Sequence, residues 1–97
     1  MAEKDIELYL RDEVKKVGGR AYKFVSPGNA GVPDRLVLLP GGTAIFVELK
    51  ARGNKSTALQ LAQQKRIEKL GFPVYVIDSE HGVDELLGLY AGEVMPL

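Results

Sequence analysis

The sequence predicts a three-layer α/β domain of order αβββαβα, with a mixed central sheet and helices on both faces. Two apolar runs, Arg35 to Leu39 and Ala44 to Leu49, flank Pro40-Gly41-Gly42-Thr43, which marks a β-hairpin. Neither run alternates with polar residues, so both faces of the hairpin are expected to be buried. Helix-periodic segments stand before and after it. At 97 residues the chain is read as a single domain, 1–97, with no room for a second core.

The elements follow in order. From Glu3 to about Val17, Ile6, Leu10, Val14 and Val17 recur at helical spacing, and Gly18-Gly19 supplies the stop. Ala21-Tyr22-Lys23-Phe24-Val25 reads as a strand. Ser26 to Pro33 is a loop, because nearly every position is a turn former or a breaker. The hairpin comes next, then a loop at Gly53-Asn54-Lys55-Ser56. A second helix is expected from about Thr57 to Leu70 and ends at Gly71-Phe72-Pro73. Val74 to Ile77 is a short buried strand, and Val83 to Leu89 a last short helix. No repeat, linker or low-complexity segment interrupts this order.

Composition narrows the chemistry. There is no cysteine and one histidine, so disulfides, thiolate zinc sites and a histidine-rich metal site are excluded. A metal would have to be held by oxygen, which favours magnesium, manganese or calcium. No apolar stretch reaches the roughly 18 residues of a membrane span, and Met1-Ala2-Glu3-Lys4-Asp5 lacks a signal-peptide layout. The expected setting is intracellular and cytoplasmic. Net charge is zero, but it is unevenly distributed. Between Val14 and Ile77 stand eleven bases and three acids, whereas Asp78, Glu80, Asp84, Glu85 and Glu93 follow with no Lys or Arg. Such asymmetry is compatible with a phosphate backbone, and equally with a solvated basic face beside an acidic tail.

The chemistry-bearing residues gather at the open end of the hairpin. With the turn centred near Gly41-Gly42, pairing sets Asp34 across from Glu48. Residues directly opposite in an antiparallel pair have Cβ atoms about 4.5–5.5 Å apart on one face. Alternation adds Lys50 to the face of Glu48 and sends Val47 and Leu49 to the other. Two carboxylates and an amine in an apolar sheet are costly unless something fills the space between them. A hard divalent cation on Asp34, Glu48 and the Leu49 backbone carbonyl would do so. It would polarise a phosphodiester and acidify an attacking water, with Lys50 stabilising charge on phosphoryl oxygens. A Glu–Lys pair on a surface strand beside a turn-capping Asp is the plainer account of the same residues.

Pro33-Asp34, thirteen residues, then Glu48-Leu49-Lys50 within αβββαβα order resembles the PD-(D/E)XK nuclease superfamily and its restriction-endonuclease-like fold. Ser26-Pro27-Gly28 leading into Gly31-Val32-Pro33-Asp34-Arg35, then Phe46 to Lys50, Gln60, and Gly71 to Ile77 resembles the virus-type replication-repair nuclease (VRR-NUC) domain. The likeness spans nearly the whole chain and is of the small stand-alone kind found in phages, which implies a phage or bacterial-host context. It implies a structure-specific DNA endonuclease using Mg2+ or Mn2+, acting at branched DNA such as four-way (Holliday) junctions, as a homodimer. It also implies that a first-helix glutamate joins the metal site, for which Glu7 is the match, and that a second-helix glutamine serves the site, for which Gln60 is the match and Gln64 a second choice. Glu7 equally fits an exposed helix acid, and Gln63 and Gln64 fit ordinary helix-surface positions.

Further candidates carry less. Ser26 and Asn29 in the loop, and Arg35, Arg52 and Lys55 around the site, are candidate backbone contacts to DNA. Tyr22, Phe24 and Phe46 are assigned to the core, and His81 to a turn. A self-associating chain should expose an apolar patch, expected along the first helix and Leu86 to Tyr90. Two alternatives stay open: a binding module of the same fold without turnover, and a nuclease that nicks flaps or forks.

Overall fold

Apolar side chains on two helices and on one face of a sheet must meet to leave water, and they do so in a computed structural model that describes residues 2–91. Glu93, counted above in the acidic tail, lies outside the described residues. The order is α1 (Glu3–Lys16), β1 (Arg20–Lys23), β2 (Arg35–Leu39), β3 (Thr43–Leu49), α2 (Ala58–Lys69), β4 (Val74–Ile77) and α3 (Glu80–Leu89). The sheet runs β1-β2-β3-β4, with β1, β2 and β3 antiparallel in turn and β3 parallel to β4. It is the expected mixed sheet, and α2 is the crossover that a parallel pair requires.

The hairpin turn uses Gly41 and Gly42 at φ 90° and 84°, a conformation that disfavours a side chain. That turn sets the register Val37↔Ile45 and Arg35↔Val47. Continued by one step, it pairs Asp34 with Glu48.

One sheet face, with Val37, Leu39, Ile45, Val47, Leu49 and Ile77, packs on Ile6, Leu10 and Val14 of α1 and on Val83 and Leu86 of α3. The Tyr9 hydroxyl donates to Asp84 at 2.7 Å and ties α1 to α3. Ser79 caps α3 by accepting from the Gly82 amide. This start is earlier than expected, and it puts His81 in the first helical turn, exposed and 3.4 Å from Glu85, not in a turn.

The opposite face departs from expectation. It is covered only in part, because the residues that α2 buries are Gln63 and Gln64 and not a row of aliphatics. Tyr22, Leu38, Phe72 and Val76 remain between 40% and 49% exposed. Tyr22 is therefore not a core residue, and the Arg20 guanidinium stands over its ring. Phe46 is half-buried between Phe24 and Phe72 in edge-to-face contacts, with ring centroids 5.3 and 6.3 Å away. Gln63 and Gln64 are structural. Gln63 Nε2 donates to the Ala30 carbonyl and Gln64 Nε2 to the Ser56 hydroxyl, so α2 is fastened to the loops on either side of the hairpin.

Candidate active site

The site lies at the carboxyl end of β3, where the chain leaves the sheet for α2 and backbone groups are released from pairing. The Leu49 amide faces the β2 side and donates to Asp34 Oδ2 at 2.7 Å, fixing that carboxylate at the strand end. In an extended strand the N–H and C=O of one residue point the same way, so the Leu49 carbonyl is directed to the same side. Glu48 points to the α2 face and is only 2% exposed. Its Oε2 accepts from Gln60 Nε2 at 3.0 Å and lies 3.8 Å from Lys50 Nζ. Lys50 Nζ donates to Gln60 Oε1 at 2.6 Å. One glutamine thus holds both the acid and the amine of the Glu-x-Lys pair.

Gln60 is held in turn by the start of α2. Its Oε1 accepts from the Thr57 amide at 2.9 Å, while its own amide donates to the Thr57 hydroxyl at 3.2 Å. These two bonds make a reciprocal capping box.

The electrostatics are unbalanced. Burial, together with the neighbouring Asp34 carboxylate, pushes Glu48 up to about 7, against the downward pull of Lys50. Glu48 Oε1 is buried without a donor, yet the carboxyl lies within hydrogen-bonding reach of Asp34. Two carboxylates so close share the space well only with a proton or a cation between them.

Other candidates lie elsewhere. Strand alternation sends Arg35 to the face opposite Asp34, toward α1, where it is 6% exposed. Its Nε donates to Glu7 Oε2 at 2.8 Å and its Nη1 to the Ala21 carbonyl at 2.7 Å. Arg35 is therefore an internal brace and does not offer its guanidinium to DNA. Glu7 is engaged by it instead of turning toward Glu48, and among the described residues no three acidic or histidine side chains converge as a ligand set. Glu3, one turn earlier on the same helix stripe, is the acid that sequence reasoning missed. Burial and then Asp34 raise its carboxyl, so it senses the site directly. The i, i+4 relation to Glu7 was the available signal.

Ser26 and Asn29 spend polar groups on one another, Asn29 Nδ2 donating to Ser26 Oγ at 2.9 Å, as a turn does. Arg52 and Lys55 are exposed in the loop that leaves the site.

No protein-family model matches the chain. Among solved structures, one described as a VRR_NUC domain superposes with a TM-score of 0.85 at 33% identity, covering 93% of this chain and 99% of that one. The chain belongs to the VRR_NUC domain family. A second VRR_NUC domain protein matches at TM-score 0.70 and 17% identity over 95% of this chain and 89% of that one, a likeness of fold. The protein described as "Putative nuclease p44", from Acyrthosiphon pisum secondary endosymbiont phage 1, is 58% identical over 78 residues, 80% of this chain and 84% of that protein. This VRR_NUC chain is therefore a small nuclease domain of the kind phages carry. Among its described residues no helix is long and apolar enough to cross a membrane.

Proposed function

We propose that this chain is a divalent-metal-dependent endonuclease that hydrolyses DNA phosphodiester bonds, at branched DNA such as four-way junctions, as a homodimer. The observation that carries the reading is the buried Glu48 Oε1, without a donor and beside Asp34. A buried acceptor in that state is destabilising on its own and fits a cation that takes oxygen from both side chains.

Asp34, Glu48 and the Leu49 carbonyl would hold Mg2+ or Mn2+. When bound, such an ion supplies Lewis-acid polarisation of a phosphate and a more acidic water. Lys50, its amine fixed by Gln60, would meet charge that grows on a phosphoryl oxygen. The apolar wall of Phe24, Phe46 and Phe72 lowers the local dielectric and strengthens each of these interactions. Arg52 and Lys55, exposed in the loop that leaves the site, would contact an incoming backbone.

The dimer reading rests on exposed apolar surface and on symmetry. One site per chain cuts one strand, so paired cuts on a two-fold junction call for two chains. The surface expected along α1 and Leu86 to Tyr90 divides: Leu86 is buried and Tyr90 bonds Tyr75 through their hydroxyls at 2.7 Å, whereas Leu8 and Leu89 are 37% and 69% exposed. Tyr22, Leu38 and Val76 on the α2-side face offer a second exposed apolar surface for contact with another copy.

The test is a cleavage panel of duplex, single strand, flap, splayed arm and four-way junction, with Mg2+ and with Mn2+, for the parent and for Asp34→Asn. The variant should lose on the order of 10³-fold or more in rate while binding DNA within a few-fold of the parent. Cleavage retained by Asp34→Asn would refute the assignment. Light scattering should give about twice 10.6 kDa, and a monomer that still cuts would replace paired cutting with single-strand nicking at flaps or forks.

A further inference from the structure

We propose that the groove between α1 and the free edge of β1 binds the phosphate backbone of a nucleic-acid arm that runs away from the active site. The inference rests on the nuclease reading for the identity of that arm, and on four observations for the groove itself.

The first is shape. An open cavity of about 410 Å³ is lined by Arg11, Asp12 and Lys15 of α1 and by Arg20, Tyr22 and Lys23 of β1. The second is charge: four cations border the groove and its edge against one acid, and that acid, Asp12, is already paired with Arg11 at 3.0 Å. Lys15 and Lys23 stand on the α1 side and Arg20 turns to the other side of the same edge strand, over Tyr22. None of the three makes an ion pair among the described residues, so three positive charges flank the free edge.

The third is position. Lys23 pairs with Arg35, and the next step along β1 brings the Phe24 amide to the Asp34 carbonyl at 2.9 Å. The groove therefore opens on the α1 side about two strand spacings, roughly 10 Å across the plane of the sheet, from Glu48 on the other face, and an arm reaches it by passing around the free edge of β1. From Lys23 back to Arg20 it extends a further ~10 Å, the axial rise of about three nucleotides of one strand. Three cations over three nucleotides is one contact per phosphate.

The fourth observation selects the occupant. β1 is an edge strand, and an edge invites pairing with another strand. A second copy joined there by its own β1 would bring Arg20 and Lys23 against Arg20 and Lys23, and like charges set opposite each other repel. A polyanion meets the same surface without that penalty.

The experiment is fluorescence anisotropy of the full chain with a labelled, long-armed four-way junction in chelator, repeated over a salt series. The variant is Lys15→Gln, Arg20→Gln, Lys23→Gln, all at exposed positions. Neutralising three phosphate contacts should lower the slope of log affinity against log salt by about two to three and weaken binding roughly tenfold or more at physiological salt. Cleavage at saturating DNA should stay within about twofold of the parent, with the loss confined to KM. The charge-preserving pair Lys15→Arg, Lys23→Arg should bind as the parent does. Lys23→Gln alone should lower the slope by about 0.9, which keeps the test available if the triple variant unfolds.

A parent that cuts DNA, with a variant of unchanged slope and affinity, would overturn the groove and leave the nuclease reading standing. A parent that binds and loses slope in the variant but cuts nothing would uphold the groove and overturn the nuclease reading. A parent that binds no DNA would overturn both. A variant that turns from dimer to monomer, with affinity per chain unchanged, would overturn the proposal in favour of a second copy.

Discussion

Replacing Glu48 by glutamine should stabilise the metal-free protein while removing activity. Below pH 4.5 the Glu48 carboxyl is protonated in the folded and the unfolded chain alike. Between 4.5 and about 7 the unfolded chain releases this proton and the folded chain keeps it, so unfolding becomes progressively easier. Above 7 both states are ionised and the loss is complete. Each tenfold change in proton affinity is about 1.4 kcal/mol, which bounds the loss at roughly 3.5 kcal/mol. A neutral amide has the same shape, does not titrate, and can still accept from Gln60 and donate toward Asp34. Unfolding by heat and by urea, in chelator, should therefore show the parent losing ground to Glu48→Gln from pH 4 to pH 8. For a domain of this size the gap in Tm should open by roughly 10–20 °C at most. Added Mg2+ or Mn2+ should close it by stabilising the parent and not the variant. A variant that is less stable than the parent at pH 8, or a gap that does not change with pH, would refute the reasoning.

Three other outcomes test the surrounding architecture. Gln60→Ala removes the acceptor of Lys50 and a donor to Glu48, and kcat should fall about 10–100-fold with KM changed less than about threefold; an unchanged kcat would deny it a positioning role. Gly31→Ala should cost about 2–4 kcal/mol, because φ is +89° and the new Cβ would stand 2.9 Å from Leu59 Cγ and 3.1 Å from its backbone. Gly28→Ala, at φ +81° but with nothing within 4 Å, should cost only about 1–2 kcal/mol, and equal losses in urea unfolding would show that Leu59 does not matter. Arg35→Ala should destabilise by about 3 kcal/mol by leaving Glu7 and the Ala21 carbonyl without their partner, while the salt slope of DNA binding stays that of the parent; a lower slope would return Arg35 to the phosphate contacts.

The hairpin end was legible because two strong local rules agree there. Two glycines that favour positive φ fix the turn, and period-two alternation then carries Asp34, Glu48 and Lys50 to one place with no tertiary information. The same alternation already assigned Arg35 to the far face, one residue after Asp34, although its charge suggested a surface role. Which acid of α1 approaches the site was not legible. Glu3 and Glu7 share a stripe, and the choice is decided by the buried guanidinium that reaches Glu7 across 28 residues. Two-sided burial failed for a compositional reason. The apolar runs of β2 and β3 ask for cover, but α2 presents glutamines, so its contacts fasten loops at its ends and leave Tyr22, Leu38 and Val76 facing water. The Thr57–Gln60 capping box was written in the sequence as Thr-x-x-Gln, and its second use emerges only when Lys50 and Glu48 are seen to bond the same side chain.

That second use makes the first turn of α2 a checkpoint for assembly. A helix end ordinarily frays at little cost, opening and closing independently of the rest of the molecule. Here fraying would take Gln60 away from Lys50 and Glu48 together, returning an amine and a carboxylate to the orientations solvent prefers. On the proposed function, the fraction of molecules ready to react is the fraction in which this turn is wound, and amide exchange at Gln60 would count it. Anything that grips Glu48 or Lys50 gains from the wound form and slows the exchange. The helix start therefore reports, at a backbone proton, whether the pair at the strand end is engaged.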